Sequence, residues 1–204
     1  MGAMEETANK KTIIITGPMA SGKTTLAKYL EKEYGYKRIV TFTTRPKRDG
    51  EVDGVDYWFI SNETFDLFVK SHAFAEYRQY NAKFGFCQYG SMWQDYISDG
   101  IKVIVLDPIG AMKVVNRYYD GMKNQMELGM EKPIVVWLDL PDDITVRRAI
   151  ERGDDPAEVY RRNEDDRKKF PVLKFGNYFD IRIRKEYPVD VLADIIVRKI
   201  GGLS

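Results

Sequence analysis

The chain has 204 residues, 44% hydrophobic and 31% charged, with a formal net charge of +1. That length holds one ordinary α/β domain with room for a small inserted subdomain, and the composition suits a soluble globular protein. The near-neutral balance creates no global field toward nucleic acid or a membrane surface, so neither is expected as a partner, and a phosphorylated ligand must be captured by a local cluster of cations.

Met1-Gly2-Ala3, ahead of a second Met4, reads as a cloning remnant, and residues 1–11 are expected to be an extension to a single domain over 12–204. Within Thr12–Thr16 the β-branched run Ile13-Ile14-Ile15 predicts a fully buried strand. The next eight residues, Gly17 to Thr24 (GPMASGKT), satisfy G-x-x-x-x-G-K-[ST] at every fixed position. After Thr25, Leu26 and Leu30 with Lys28, Glu31 and Lys32 between them have helical period, so the motif lies between a strand and a helix. Glycines let the backbone bend until successive N–H groups converge on an anion, and the helix N-terminus adds partial positive charge. The stretch therefore predicts a nucleoside triphosphate site. Gly17, Ala20, Ser21, Gly22, Lys23, Thr24 and Thr25 form it, Lys23 reaches the β/γ-phosphates, and the Thr24 hydroxyl is placed to ligate Mg²⁺.

Residues 36–91 differ in character. They are rich in Tyr, Phe and Thr, carry short alternating segments such as Asp56-Tyr57-Trp58-Phe59-Ile60, and show turn signals at Asp49-Gly50, Asp53-Gly54 and Asn81-Ala82. This predicts a small, mostly antiparallel β-region inserted after the first helix. Further buried strands are expected at Val103–Asp107 and Ile134–Leu138, with a weaker one at Phe179–Ile183. A helix over Asp142–Glu151 should end at Arg152-Gly153. Another should start with Asp155 as N-cap, Pro156 at the first position and Glu158 beyond, and a last one should run from about Pro188 to Ile200 and stop at Gly201-Gly202. Strands alternating with helices predict an α/β fold, a parallel sheet with helices on both faces.

Arg45 and Arg48 stand three apart around a Pro-stiffened turn with Lys47 between them, and guanidinium forks suit phosphate oxygens. The surrounding TTRPKRDGEVDGVDYWF resembles the guanylate kinase signature T-T-R-x-x-R-x-G-E-x-x-G-x-D-Y-x-F at every fixed position. With the P-loop in the same order and spacing, the likeness extends over roughly Thr12 to Ile183. The resemblance implies a P-loop three-layer fold: a core (12–38 and 100–204), an inserted mixed β/α lobe for GMP (about 39–99) and a helical lid (about 148–165). It implies transfer of the γ-phosphoryl group of ATP to GMP with Mg²⁺; the cytoplasm is the compartment expected from the single cysteine.

Carried over by position, Arg45, Arg48 and Tyr57 hold the GMP phosphate, Thr41 offers a hydroxyl to guanine, and Glu76 accepts from the guanine N1–H and amine. A carboxylate is acceptor-only, so it pairs with guanine's donor edge and is repelled by the N1 acceptor of adenine. The family's Tyr-Gly-Ser has two alignments here. Tyr89-Gly90-Ser91 matches letter for letter but needs a hairpin about four residues longer, whereas Phe84-Gly85-Phe86 keeps the usual spacing and loses both hydroxyls. The first is preferred because hairpin tips tolerate insertion. Asp107 matches an aspartate near the nucleotide base and ribose, although Ile109 stands where the family often has a second acid. Arg148, Arg152 and Arg162 match lid arginines that, with Lys23 and Arg45, act on the transferring group. The alternative for these three is surface pairing with Asp165, Asp166 or Glu151.

His72 has no triad partners and reads as structural. Cys87, the single cysteine, has no basic neighbour and excludes an internal disulfide, in keeping with a reducing compartment. Tyr77, Tyr80, Phe84, Phe86 and Tyr89 read as packing of the inserted lobe rather than as a base-stacking platform. Two other functions stay open: a kinase for dGMP, another nucleotide or a phosphorylated sugar, and a non-catalytic guanylate-kinase-like module that binds phosphoproteins.

Overall fold

The computed structural model describes residues 10–82, 85–121, 130–170 and 178–201. Residues 1–9, Phe84 and Gly202 lie outside the described residues. Two compact units emerge. One takes the described part of Met1–Thr12 with Ile39–Lys102 and Lys113–Lys132; the other takes Ile13–Arg38, Val103–Met112 and the described part of Pro133–Ser204.

The second unit is built on β1 (Thr12–Thr16) and β8 (Ile134–Leu138), whose ten residues are all buried. Successive side chains on a strand point to opposite faces, so burial of every residue means that both faces are covered. The β-branched sequences IIIT and IVV supply that packing. The five-stranded sheet runs β2 (Lys37–Arg38), β7 (Lys102–Val105), β1, β8, β9 (Ile181–Ile183). β1 pairs with β8 in parallel from Ile13↔Ile134 to Thr16↔Trp137, and β8 pairs with β9 in parallel.

Two strands are shorter than their sequence patterns suggest. The expected Val103–Asp107 strand stops at Val105 because the Asp107 carboxylate accepts from the Ile109 and Gly110 amides (2.8 and 3.1 Å), capping helix α4 (Pro108–Asp120). The expected Phe179–Ile183 strand begins only at Ile181; just before it, Asp180 pairs with Val135 through its carboxylate (2.9 Å) as well as its backbone N–H (2.8 Å).

Helix α1 (Lys23–Tyr34) buries Leu26, Ala27 and Leu30 and ends on Gly35 at φ 68°. Helix α5 spans Asp142–Glu151, with the bounds its pattern predicts. Helix α6 (Pro156–Lys169) opens with the Asp155 side chain accepting from the Ala157 amide (3.1 Å). Helix α7 covers Val189–Gly201. Trp137 of β8 stacks against Phe170 just after α6, with ring centroids 6.0 Å apart and planes at 11°.

The first unit carries a four-stranded sheet in the order β4 (Trp58–Phe59), β3 (Phe42–Thr43), β6 (Gly85–Met92), β5 (Phe74–Ala82), with α2 (Asn62–Lys70) and α3 (Trp93–Ile97). Two pairings, β3–β6 and β5–β6, are antiparallel as expected, while β3–β4 is parallel. Asn81-Ala82 is the end of β5 rather than a turn, because the ladder continues to Ala82↔Gly85. Phe65 and Phe74 pack with centroids 4.6 Å apart, and Gly90 leaves room for the Phe74 ring, which a Cβ would approach to 2.9 Å.

Where β1 hands over to the loop, a Cβ on Gly17 would lie 2.7 Å from the Leu138 carbonyl oxygen. Overpacking against backbone costs about 1–3 kcal/mol, and each kcal/mol moves Tm by about 2–4 °C at this size. Gly17→Ala should therefore lower Tm by about 3–10 °C in a circular dichroism melt. Gly201→Ala, where a Cβ meets nothing within 4 Å, should shift it by less than about 1 °C.

Candidate active site

In the second unit, the loop between β1 and α1 needs backbone angles that few residues adopt: Ala20 has φ 52° and Gly22 φ 94°. Gly22 is the N-cap of α1, no side chain caps that helix, and its first turn carries no acid. The free N–H groups and the positive end of the helix dipole thus stay available to an anion. Lys23 folds back on the loop, its Nζ donating to the carbonyls of Gly17 (2.8 Å) and Pro18 (2.5 Å) and, more weakly, to Ser21 Oγ (3.4 Å). Burial lowers its pKa to about 8, with Asp166 opposing that shift and Arg152 adding to it. An ammonium that donates to neutral carbonyls and a hydroxyl in this setting is better matched by phosphate oxygens. Thr24 and Thr25 are exposed.

A cavity of about 430 Å³ opens over the loop, lined by residues 20–25, Arg148 and Arg152 of the α5 end, and Tyr187, Val189 and Leu192 around the start of α7. The structure thus brings two of the three expected lid arginines to the loop. The Arg148 guanidinium lies 3.9 Å from the position of a Cβ on Gly22. Each arginine is paired, though not with Asp165, Asp166 or Glu151. Arg148 meets Glu186 (2.7 Å), Arg152 meets Asp154, and Arg162 meets Glu158 (2.8 Å). Arg162, on α6, does not line the cavity. The Arg161 and Arg162 guanidiniums hold the Glu158 pKa down at about 2. Tyr187, Val189 and Leu192 were not singled out from sequence; without a motif, an aromatic and two aliphatics in a helix-starting stretch read as packing. Asp107 also belongs to this unit, its carboxylate serving α4.

In the first unit, the sheet gathers the second set. Register places Thr43 opposite Tyr89, Phe42 opposite Trp58, and Glu76 opposite Ser91. Arg45 is buried at 6% exposure and clamped by Glu51 through Nη1 (2.7 Å) and Nη2 (2.5 Å). Its guanidinium sits 4.8 Å from the Tyr57 ring centroid and 5.4 Å from that of Phe59. Burial opposes its charge, and the Glu51 hydrogen bonds outweigh that, raising its pKa; Glu51 is correspondingly lowered. The rings of Tyr57 and Tyr89 are 6.0 Å apart. Burial raises the Tyr57 pKa. Arg48 is exposed, and Thr41 is half-buried just ahead of β3, its carbonyl accepting from the Trp58 amide (3.0 Å).

Glu76 is only 3% exposed. Its Oε1 accepts from the Ser91 hydroxyl (3.0 Å), which in turn lies 2.8 Å from the hydroxyl of fully buried Tyr96. Its Oε2 faces Arg78 Nη2 at 3.6 Å and has no hydrogen bond among the described residues. Burial raises the Glu76 pKa, while Arg78, the Ser91 hydroxyl and Lys113 pull it down. Of the two Tyr-Gly-Ser alignments, Tyr89-Gly90-Ser91 is the one whose serine meets Glu76; Phe84 lies outside the described residues, and Gly85 begins β6 at φ 98°. Tyr96 and Arg78 were missed in the sequence because only β-register and α3 reveal them as neighbours of Ser91 and Glu76. Glu76 also borders a second cavity of about 340 Å³ that Lys113 and Arg117 of α4 line. Both cations donate to backbone carbonyls of β5, Tyr77 (2.7 Å) and Phe74 (2.7 Å).

A parallel sheet whose first strand feeds a glycine loop into an uncapped helix, with a mixed sheet inserted in the chain, defines a P-loop nucleotide-binding α/β protein. The sequence model of the guanylate kinase family matches residues 9–187, and the chain belongs to that family. Guanylate kinase of Bifidobacterium longum is 31% identical over 206 residues, covering 98% of this chain and 99% of that protein. Guanylate kinase of Symbiobacterium thermophilum is 38% identical over 112 residues, a match spanning 54% of this chain and about half (53%) of that protein. The crystal structure of guanylate kinase from Anaplasma phagocytophilum has the same fold at a TM-score of 0.64 and 18% identity, with 98% of this chain and 88% of that one covered.

A carboxylate whose pKa is raised on folding favours the unfolded chain once pH climbs above the ordinary carboxylate range. Glu76→Gln removes that cost. Its Tm should therefore exceed that of the parent chain at pH 7–8, with the gain shrinking through about pH 4 and gone by about pH 3, where the parent carboxyl is protonated in both states. Melts across that range check the sign.

Proposed function

We propose that this chain transfers the γ-phosphoryl group of ATP to GMP, yielding ADP and GDP. The observation that carries the acceptor assignment is the Glu76 carboxylate: buried, held by Ser91 on one oxygen, and on the other facing Arg78 at 3.6 Å with no hydrogen bond among the described residues. A buried acceptor left open in this way is costly unless a ligand donates to it. Guanine offers two adjacent donors on one edge; adenine offers an acceptor where N1–H would be.

Tyr89 and Ser91, two apart on β6, lie on one face of the sheet, about 7 Å apart along the strand. The same face thus carries a phosphate end (Arg45, Tyr57 and Tyr89, with Arg48 at the exposed rim) and a base end (Glu76 and Ser91, with Thr41 ahead of β3). We read residues 39–99 as the acceptor lobe, α5 and α6 as the lid, and Asp107 as a further contact to the acceptor nucleoside. On the donor side, the amides of residues 20–25 and the Lys23 ammonium bind the ATP phosphates, and Arg148 and Arg152 of the cavity wall, with Arg162 of α6 outside that wall, neutralise charge on the transferring group. Among the described residues no cluster of three or more His, Cys, Asp or Glu could hold a metal by itself. Mg²⁺ with ATP suits this donor set, since it keeps water and phosphate oxygens as ligands and asks the protein for the Thr24 hydroxyl; bound there, it would neutralise β/γ-phosphate charge. An acceptor phosphate oxygen is already anionic at neutral pH, so no general base is needed, and positioning with electrostatic stabilisation supplies the rate. No helix among the described residues is long and apolar enough to cross a membrane.

A panel of GMP, dGMP, AMP, CMP and UMP in a coupled ADP-release assay tests the acceptor: GMP should be preferred over AMP by at least about 100-fold in kcat/KM, and equal use of AMP would overturn the assignment. Lys23→Ala should abolish turnover while leaving Tm within a few degrees. Arg48→Ala, which removes an exposed guanidinium, should raise the KM for GMP about 10–100-fold, the scale of one charge-assisted hydrogen bond.

A further inference from the structure

Helix α6 buries Val159 and Asn163, with Asp166 half-buried on the same face and Phe170 buried just after the helix, the spacing of a core-facing stripe. Two of those four positions are polar. Asn163 is 6% exposed, with no hydrogen bond on its Oδ1 among the described residues. Asp166 Oδ2 accepts from the Met19 amide at 2.7 Å, a contact between residues 147 apart in sequence. Packing alone would put apolar side chains on such a stripe, so the carboxylate calls for another reason.

That reason lies in the loop. The cavity lining runs from Ala20 to Thr25, and Met19 lies outside it. Its N–H is directed to α6 instead. We propose that Asp166 is a positioning residue for the triphosphate site, holding the P-loop from behind by the Met19 amide and joining the loop to the helix that carries Arg162. Ala20, next to Met19, already sits at φ 52°, a conformation that an alanine adopts only when its surroundings impose it. An anchored Met19 is one such constraint. The charged groups around Asp166 agree with this role. Burial raises its pKa, Asp165 adds to the shift, and the Met19 amide, Lys23 and Lys169 oppose it.

The inference rests on reading the loop as the triphosphate site, which saturation of the parent chain by ATP and the Lys23→Ala variant test separately. Kinetics of Asp166→Ala and Asp166→Asn decide the inference itself, since Asn keeps an acceptor oxygen in place and Ala does not. Asp166→Ala should raise the KM for ATP about tenfold with the KM for GMP within twofold, and Asp166→Asn should restore the ATP KM to within threefold of the parent. Hydrogen exchange at the Met19 amide should be slow in the parent and in Asp166→Asn, and fast in Asp166→Ala. An unchanged ATP KM in Asp166→Ala, an equal rise for both substrates, or an equal loss in Asn and Ala would each overturn the proposal. If Asp166→Ala does not fold, Asp166→Glu replaces it. A carboxylate displaced by one methylene should raise the ATP KM at near-parent Tm, and a parent-like KM would count against the anchor.

Discussion

A cation withdrawn from water loses solvation that neighbouring acceptors must restore, and a buried ion left unbalanced costs several kcal/mol. Both halves of the candidate site are organised by that requirement. Lys23 takes the carbonyls of its own loop, Arg45 takes both oxygens of Glu51, and Arg148, Arg152 and Arg162 take Glu186, Asp154 and Glu158. Glu76 is the converse case, a buried carboxylate satisfied on one oxygen by Ser91 and facing Arg78 with the other.

These pairings are not equally firm, and burial decides which can be exchanged. Arg45 and Glu51 have side chains only 5% and 19% exposed, with two parallel hydrogen bonds between aromatic walls, so this pair is scaffold and breaking it is expensive. Arg152 and Asp154 are 59% and 30% exposed, and such surface pairs contribute about 0–1 kcal/mol, little enough to give way to a phosphate. The same distinction separates the ladder that sets Glu76 against Ser91 from the more exposed pairs of Arg148, Arg152 and Arg162. Asp166 belongs with the scaffold, since its 2.7 Å bond joins a loop amide to a helix 147 residues away.

Where sequence and structure diverge, a side chain has taken over a backbone's business. Val103–Asp107 looks like one strand because VIVL is apolar throughout, yet Asp107 leaves the ladder to cap α4. Phe179-Asp180 is lost from β9 as Asp180 bonds Val135 by carboxylate and amide together. The two-residue strands β3 and β4 fall below any period that a pattern could detect, and their parallel pairing follows from the turn-rich excursion between them. Of the acids that hold the three arginines, Glu158 is a helix neighbour four residues from Arg162, whereas Glu186 reaches Arg148 from a distant segment that helix spacing does not reveal.

What the residues determined alone is everything enforced locally: β1 and β8 by β-branched runs, α5 and the start of α6 by caps, and the phosphate loop by Gly22, whose positive φ few other residues tolerate. The signature from Thr43 to Phe59 likewise identified the family without any coordinates. Tertiary structure decided which hydroxyl meets Glu76, that Glu186 meets Arg148, and that Asp166 reaches Met19. Those are contacts between residues far apart in the chain, and hydrogen-bond geometry between such residues depends on strand register and helix rotation, which no local pattern encodes.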